Sequence, residues 1–110
     1  MKIPFQALIE QITDQAIVVL DKDGIIQSWN AGARKITGYS AGEAVGRPLG
    51  MLLEESVVRE LVDAGAASAH CWLMRKQGQP LWTRNVVQRV SGENGSGQAL
   101  CWVCQDPFDN

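Results

Sequence analysis

Histidine is nearly absent from this sequence, since His70 is the single one among its 110 residues. A serine or cysteine nucleophile therefore has one candidate base, and no nucleophile can be placed beside it convincingly. No pair of carboxylates stands out for general acid–base work either. We therefore expect no catalytic residues and a protein that is not an enzyme.

Clustered positive charge and long apolar runs are also lacking. The formal net charge is −2, and lysine and arginine form no basic patch of the kind that binds nucleic acid. The N-terminal stretch "MKIPFQALIEQI" carries polar residues every few positions, which excludes a signal peptide and a membrane span. We expect a cytoplasmic protein with no nucleic-acid partner.

Cysteine is scarce as well. The three cysteines, Cys71, Cys101 and Cys104, lack the number and spacing of a disulfide scaffold. Cys101 and Cys104 lie three apart in a predicted strand, so their thiols point to opposite faces and cannot share a zinc ion. We predict buried or half-buried small side chains here, and no metal site.

What the sequence does contain is 45% hydrophobic residues, enough for one globular domain. Residues 1–14 are predicted to hold a flanking amphipathic helix, because four apolar residues recur at the spacing of one helical face: Phe5, Leu8, Ile9 and Ile12. The domain itself is expected over residues 15–106, with a short tail at 107–110.

The next segments predict a strand hairpin and then two short helices. "QAIVVL" and "IIQSW" are strand-like runs on either side of the turn "DKDG". Asn30 is a strong N-cap for "AGARKITG", and Gly38 ends that helix. Ser40 and Glu43 form a capping-box pattern around the start of "AGEAVG".

The remainder predicts one longer helix and three strands. "EESVVRELVDAGAAS" has the helical pattern, and the turns "KQGQP" and "SGENGSG" separate the three strands that follow. Together with the N-terminal hairpin, these strands predict an α+β domain with a five-stranded antiparallel sheet and helices over one face.

Three motifs occur in a diagnostic order: "DKDGIIQSWNAGARKITGYSAGEAVGR", "WLMRKQGQPLW" and "CWVCQD". At these separations the chain resembles the PAS sensory-domain family, from about Gln6 to Asp106. The resemblance implies a PAS-like sheet with short helices over one face, enclosing a cavity that often holds a ligand. It also implies a homodimer that signals to an effector such as a histidine kinase or a cyclic-dinucleotide enzyme.

Strand alternation divides the last three strands into two faces, but it does not say which face is inward. In flavin-binding relatives of the LOV type, pocket polar groups align here with Leu73, Thr83 and Cys104. This resemblance places their face against the helices. The residues expected to line the pocket are Trp29, Ile36, Leu73, Thr83, Asn85, Trp102 and Cys104.

The opposite side of the sheet, which we call the outer face, is then apolar. It carries Trp72, Met74, Trp82 and Val103. An apolar patch of this size is typical of a partner surface. The helical stripe of Phe5, Leu8, Ile9 and Ile12 is its expected cover, from the same chain or from a second subunit.

The resemblance leaves the ligand open. LOV photoreceptors carry a reactive cysteine within "NCRF", and the corresponding stretch here is "GRPLGML", which excludes that subtype. A flavin site of another kind stays open. Haem also stays open, because Trp102 occupies a position that some haem PAS proteins use to hold oxygen, although His70 is predicted at the junction of the long helix and the third strand, not within the helix. Another small molecule and no tight ligand are the remaining alternatives.

The sequence thus predicts a sensory module that binds or responds to a small ligand and signals by rearrangement of a dimer. The alternative is a ligand-free PAS module for protein interaction and dimerisation. Family members commonly end in "DIT" before an output helix, whereas this chain has "DPFDN", and Pro107 opposes helix continuation. We expect the signal to leave through the N-terminal helix or the outer face.

Overall fold

The computed structural model of the chain describes residues 3–92 and 97–108. The sheet has four antiparallel strands in the order β1–β4–β3–β2. They are β1 (Ala16–Leu20), β2 (Ala66–Met74), β3 (Pro80–Ser91) and β4 (Gln98–Gln105). The helices are α1 (Phe5–Gln11), α2 (Ala31–Thr37), α3 (Ala41–Ala44) and α4 (Glu55–Ala64), with a 3-10 turn at Leu49–Met51. The predicted turn "SGENGSG" falls partly on residues 93–96, outside the described residues.

The prediction of five strands is wrong by one strand. The segment Ile25–Trp29 makes isolated bridges in place of a continuous ladder with β1. Side chains take over the missing bonds: the Val19 N–H donates to Ser28 Oγ at 2.9 Å, and the Ile17 N–H donates to Asn30 Oδ1 at 3.0 Å. The edge of β1 is therefore hydrogen-bonded without a regular second strand.

Two helices are shorter than predicted. α4 stops at Gly65, which adopts a φ of 66°, so the predicted helical residues "AAS" belong to β2 instead. α1 ends at Gln11, because the next carbonyl, that of Ile12, turns away to accept the Gly32 N–H at 2.8 Å. No helix within residues 3–92 and 97–108 is long and apolar enough to cross a membrane.

The core lies between the helices and one face of the sheet, which we call the inner face. In β1 the side chains of Ala16, Val18 and Leu20 are fully buried while Val19 is exposed, as expected for a strand with one solvent-facing side. α2 packs against β1 and α4 against β2. The helical side fills the core with apolar residues: Ala33, Ile36, Ala44, Leu49, Leu52, Leu53, Val58 and Leu61.

Asn30 joins α1, β1 and α2 through one side chain, an arrangement that we call the Asn30 junction. Its Oδ1 accepts from the Ala33 N–H at 2.9 Å, which caps α2, and from the Ile17 N–H of β1 at 3.0 Å. Its Nδ2 donates to three carbonyls at and after the end of α1: Ile9 (3.2 Å), Ile12 (3.2 Å) and Gln15 (3.0 Å). Asn30 is 4% exposed, so these bonds are largely shielded from water.

The junction also requires glycine at position 32. A Cβ added to Gly32 would overlap the carbonyl oxygen of Gln15. The first turn of α2 therefore approaches the backbone before β1 more closely than any other residue would allow. This close approach brings the Gly32 N–H within reach of the Ile12 carbonyl.

We predict that Asn30→Ala lowers the free energy of unfolding by about 3 kcal/mol, because it removes a helix cap and also leaves buried backbone groups without partners. Chemical denaturation followed by circular dichroism measures the loss. Ser40→Ala is the matched control, since Ser40 caps the exposed start of α3 and should cost about 1 kcal/mol. Equal losses in the two variants would contradict a role for Asn30 beyond capping.

Candidate ligand pocket and partner surface

All seven residues predicted to line a pocket are buried between the helices and the sheet. Trp29 is 9% exposed and Ile36 is 8% exposed. The other five are 0% exposed: Leu73, Thr83, Asn85, Trp102 and Cys104. Their strands bury the face that alternation and the family resemblance placed against the helices. Their role in binding a ligand stays a prediction.

A line of hydrogen bonds, the buried polar ladder, crosses this region through Trp102, Asn85, Thr83 and Cys71. Trp102 Nε1 donates to Asn85 Oδ1 at 2.9 Å. Asn85 Nδ2 donates to Thr83 Oγ1 at 3.0 Å, and Thr83 Oγ1 donates to the Cys71 carbonyl at 2.9 Å. These polar groups satisfy one another, so a ligand entering here would exchange hydrogen bonds with them.

Aromatic surface adjoins the ladder from the helical side. The ring centroids of Trp29 and Trp102 are 6.4 Å apart, with the ring planes tilted by 37°. Trp29 Nε1 donates to the Tyr39 carbonyl at 2.9 Å, which fixes the ring between the core and the segment that follows α2. The interior therefore places two indole rings beside one buried amide.

Burial raises the pKa of each thiol. The pKa of Cys104 rises to about 12, although a hydrogen bond involving Thr83 acts in the opposite direction. The pKa of Cys71 and that of Cys101 are also raised by burial. Because the thiolate is the nucleophilic form, these cysteines are poor nucleophiles near neutral pH and behave as small apolar side chains.

The single histidine lies on the other side of the sheet from the ladder. His70 is exposed and stacks on Trp82, with ring centroids 6.4 Å apart and an angle of 15° between the planes. A haem ligated by His70 would therefore not meet Trp102 in the interior. Within residues 3–92 and 97–108, no three His, Cys, Asp or Glu side chains are grouped to hold a metal ion.

The outer face is open over β2 and β3. Trp72 is 59% exposed and Met74 is 48% exposed, while Trp82 and Val103 are half-buried. Trp72 and Trp82 are cross-strand partners that meet edge to face, with ring centroids 5.0 Å apart. The pair stabilises the hairpin, but it leaves a contiguous apolar area in contact with water.

The α1 helix of the same chain does not cover these tryptophans. Its stripe stays largely open, with Phe5 76% exposed and Leu8 46% exposed. Phe5 and Ile9 instead border a groove of about 750 Å³ next to β1, together with apolar residues of the sheet: Ile17, Val19, Val90 and Cys101. Cover of the tryptophans by a second subunit stays a prediction.

The architecture is that of a small α+β domain with a helix-covered inner face and an open apolar outer face. A family model described as "PAS fold" matches residues 4–107. The chain therefore belongs to the PAS family, and the resemblance found in its sequence is confirmed. The matched residues include α1 as well as the sheet.

Solved structures agree with this assignment. The PAS domain of a protein from Colwellia psychrerythraea has a TM-score of 0.80 and 28% sequence identity, and the match covers 92% of each chain. The PAS domain of nitrogen regulation protein NR(II) from Vibrio parahaemolyticus has a TM-score of 0.70 and 17% identity, covering 94% of this chain and 99% of that one. The second likeness supports the fold alone.

A curated relative is longer than the chain. Two-component system protein A of Emericella nidulans is 26% identical over an alignment of 95 residues, and the match covers 78% of this chain and 14% of that protein. The chain therefore corresponds to a small part of this relative, and the activity of the rest of the relative is not contained in the match.

The turn between β2 and β3 holds the helices in place, a contact that sequence reasoning missed. Arg75 Nε donates to the Ile36 carbonyl at 3.0 Å, at the end of α2. Lys76 Nζ pairs with the Glu43 carboxylate of α3 at 2.6 Å. The capping role of Glu43 was visible in a local pattern, but its ion pair joins residues that are distant in sequence.

We predict that the Glu43–Lys76 pair is lost in acid. The hydrogen bond from Lys76, followed by that from the Ser40 N–H, lowers the pKa of Glu43 from 4.5 to about 2. Because the folded-state pKa is the lower one, the stabilisation is fully present above pH 4.5 and is lost as the pH falls through about 2. The two side chains are 45% and 41% exposed, so salt should weaken the effect.

Melting curves of wild type and Glu43→Gln across this pH range measure the loss. Wild type should melt higher above pH 4.5, and the difference should shrink as the pH falls towards about 2. Glu55→Gln is the control, because its pair with Arg59 is 3.9 Å long and highly exposed, and it should melt like wild type throughout. A wild-type advantage over Glu43→Gln that is undiminished at pH 2 would count against the pair.

Proposed function

We propose that this PAS domain is a sensory signalling module that binds or responds to a small ligand and passes on the response by rearrangement of a homodimer. Its effector is a histidine kinase or a cyclic-dinucleotide enzyme. The relationship to part of a two-component system protein supports a kinase as that effector.

Two apolar surfaces that a single chain leaves open carry this proposal. One is the outer face, where Trp72 is 59% and Met74 48% exposed, and the other is the α1 stripe, where Phe5 is 76% and Leu8 46% exposed. Leaving a large apolar side chain in water forgoes roughly 1.5–3 kcal/mol. In a two-fold dimer, α1 of each subunit would lie on the outer face of the other, so one contact would bury both surfaces.

Contacts at the base of α1 connect this dimer surface with the core. The Asn30 junction bonds the end of α1 to β1 and α2. Gln15 Nε2 donates to Gln105 Oε1 at 2.7 Å, which links the segment after α1 to the end of β4. A shift of β1 or β4 would therefore be transmitted to α1. Pro107 opposes continuation of the chain after β4 into a helix, so the route through α1 is more direct than one through a C-terminal helix.

A ligand would act at the buried polar ladder. Asn85 is its centre, because its amide accepts from Trp102 and donates to Thr83. A ligand with a donor or an acceptor could replace one of these bonds and re-aim the Trp102 side chain. Trp102 is the strand partner of Val18, so that movement would reach β1 and then the Asn30 junction.

A ligand-free interaction module is the second candidate function, and the state of the ladder favours it. Thr83, Asn85 and Trp102 are 0% exposed and bond to one another. A core that is filled and hydrogen-bonded is stable without a bound molecule. In this function the outer face and α1 serve dimerisation alone.

Native mass spectrometry and an absorption spectrum of freshly purified protein separate the two candidates. For a sensory module we expect a non-covalent mass that is released on denaturation, with a visible band if the ligand is haem or flavin. Thr83→Val removes a hydroxyl of the ladder with little change of shape. This variant should retain less of the bound ligand than wild type does. A dimer that carries no added mass in any preparation would exclude tight ligand binding and leave the interaction module.

We predict that Trp72→Glu converts the dimer to a monomer, because its charge would have to be buried against the other subunit. Trp82→Glu should act in the same direction. Since Trp72 is 59% exposed in the single chain, the far-ultraviolet circular dichroism of Trp72→Glu should match that of wild type. Sedimentation velocity over a range of concentrations measures the change.

Gln79→Glu is the matched control for this experiment. It adds the same charge at an exposed position in the turn between β2 and β3, outside the strands that carry the tryptophan pair, and should remain dimeric. Wild type that sediments as a monomer at high concentration would reject the outer face as a dimer surface. A Trp72→Glu dimer of undiminished stability would reject it equally.

A further inference from the structure

A small cavity of about 100 Å³ opens where the turn after β1, the helix α4 and the neighbouring ends of β3 and β4 meet. None of the seven predicted pocket residues lines it, so it is separate from the buried polar ladder. Its lining combines two cations and an amide with hydrocarbon: Lys22, Arg89, Gln98, Val62, Ala99 and Leu100.

The Arg89 guanidinium lies close to the end of α4. Its backbone N–H donates to the Gly65 carbonyl at 2.6 Å, and a Cβ added to Gly65 would lie 2.7 Å from the guanidinium carbon. Gly65 terminates α4, so the guanidinium lies at the carboxyl end of a helix, whose partial negative charge favours a cation there.

The lining of the cavity combines charged and apolar groups. Lys22 and Arg89 contribute charged donors, while Val62 and Leu100 contribute an apolar wall, and Leu100 is 3% exposed. Within residues 3–92 and 97–108, the ion pairs of the chain join other residues, namely Arg59 with Glu55 and Lys76 with Glu43. The positive charge at the cavity is therefore available to an anion.

Neighbouring acidic residues restrict which anion fits. Asp23 and Asp63 line the adjoining groove, together with Lys22. Their negative charge disfavours phosphate and other polyvalent anions more than it disfavours a single carboxylate. The apolar wall, in turn, favours an anion that carries a short hydrocarbon chain over an inorganic one.

We propose that this cavity binds a short-chain monocarboxylate. The carboxylate accepts hydrogen bonds from Arg89 and Lys22, and the alkyl group packs on Val62 and Leu100. The volume of about 100 Å³ admits an acid of a few carbon atoms. This site uses none of the ladder residues. Its experimental test is therefore independent of the test of the proposed sensory function.

A nuclear magnetic resonance titration with sodium propionate tests the site, with sodium chloride keeping the ionic strength constant. We expect saturable shifts of the backbone amides of Val62, Arg89 and Leu100. Arg89→Gln should weaken binding roughly tenfold, the effect of losing one charge-assisted hydrogen bond. Arg59→Gln removes a cation of α4 that does not line the cavity, and it should bind like wild type.

Because Arg89 also packs against Gly65, Lys22→Gln provides a second test. Lys22 is an exposed turn residue, so this variant should stay folded and still bind propionate more weakly. Shifts that grow linearly without saturating, or unchanged affinity in both variants, would overturn the site. Inorganic phosphate that binds as tightly as propionate would overturn the assignment to a monocarboxylate.

Discussion

The side-chain amide of Asn30 is the constraint on which the arrangement of this domain depends. It accepts from β1 and α2 and donates to carbonyls at the end of α1, and it is 4% exposed. A buried amide in this position is costly unless its partners are present, so its hydrogen bonds favour keeping the three elements together. Gly32 allows the close approach that completes the set. The end of the flanking helix is thereby hydrogen-bonded to the sheet and to α2 through Asn30.

The two faces of the sheet differ in how completely their side chains are buried. On the inner face, Trp102, Asn85 and Thr83 satisfy one another and are fully buried. On the outer face, Trp72 of β2 remains in water, as do Phe5 and Leu8 of the α1 stripe, which borders β1 at the other edge of the sheet. The hydrophobic effect therefore favours association at the outer face, whereas the interior is already stable. In the proposed function, a signal from the ladder would reach α1 through β1 and the Asn30 junction.

Local patterns predicted the parts of this structure that depend on neighbouring residues. The caps at Asn30 and Ser40 follow from side-chain chemistry within one helical turn, and the burial of Trp102 follows from strand alternation with the family resemblance. Contacts between distant residues were not predictable in the same way. The Ser28 hydroxyl accepts a hydrogen bond from β1 where a strand ladder was expected. Lys76 pairs with Glu43 because folding brings the turn between β2 and β3 next to α3.

Amide hydrogen exchange at the Asn30 junction tests the central claim that α1, β1 and α2 are held as one unit. The amides of Ile17 and Ala33 donate to Asn30, and the amide of Gly32 donates to the Ile12 carbonyl at the end of α1. If the junction opens as a unit, the three amides should exchange with the same protection. Fast exchange at Gly32, with Ile17 and Ala33 still fully protected, would show that α1 detaches independently and would contradict the claim.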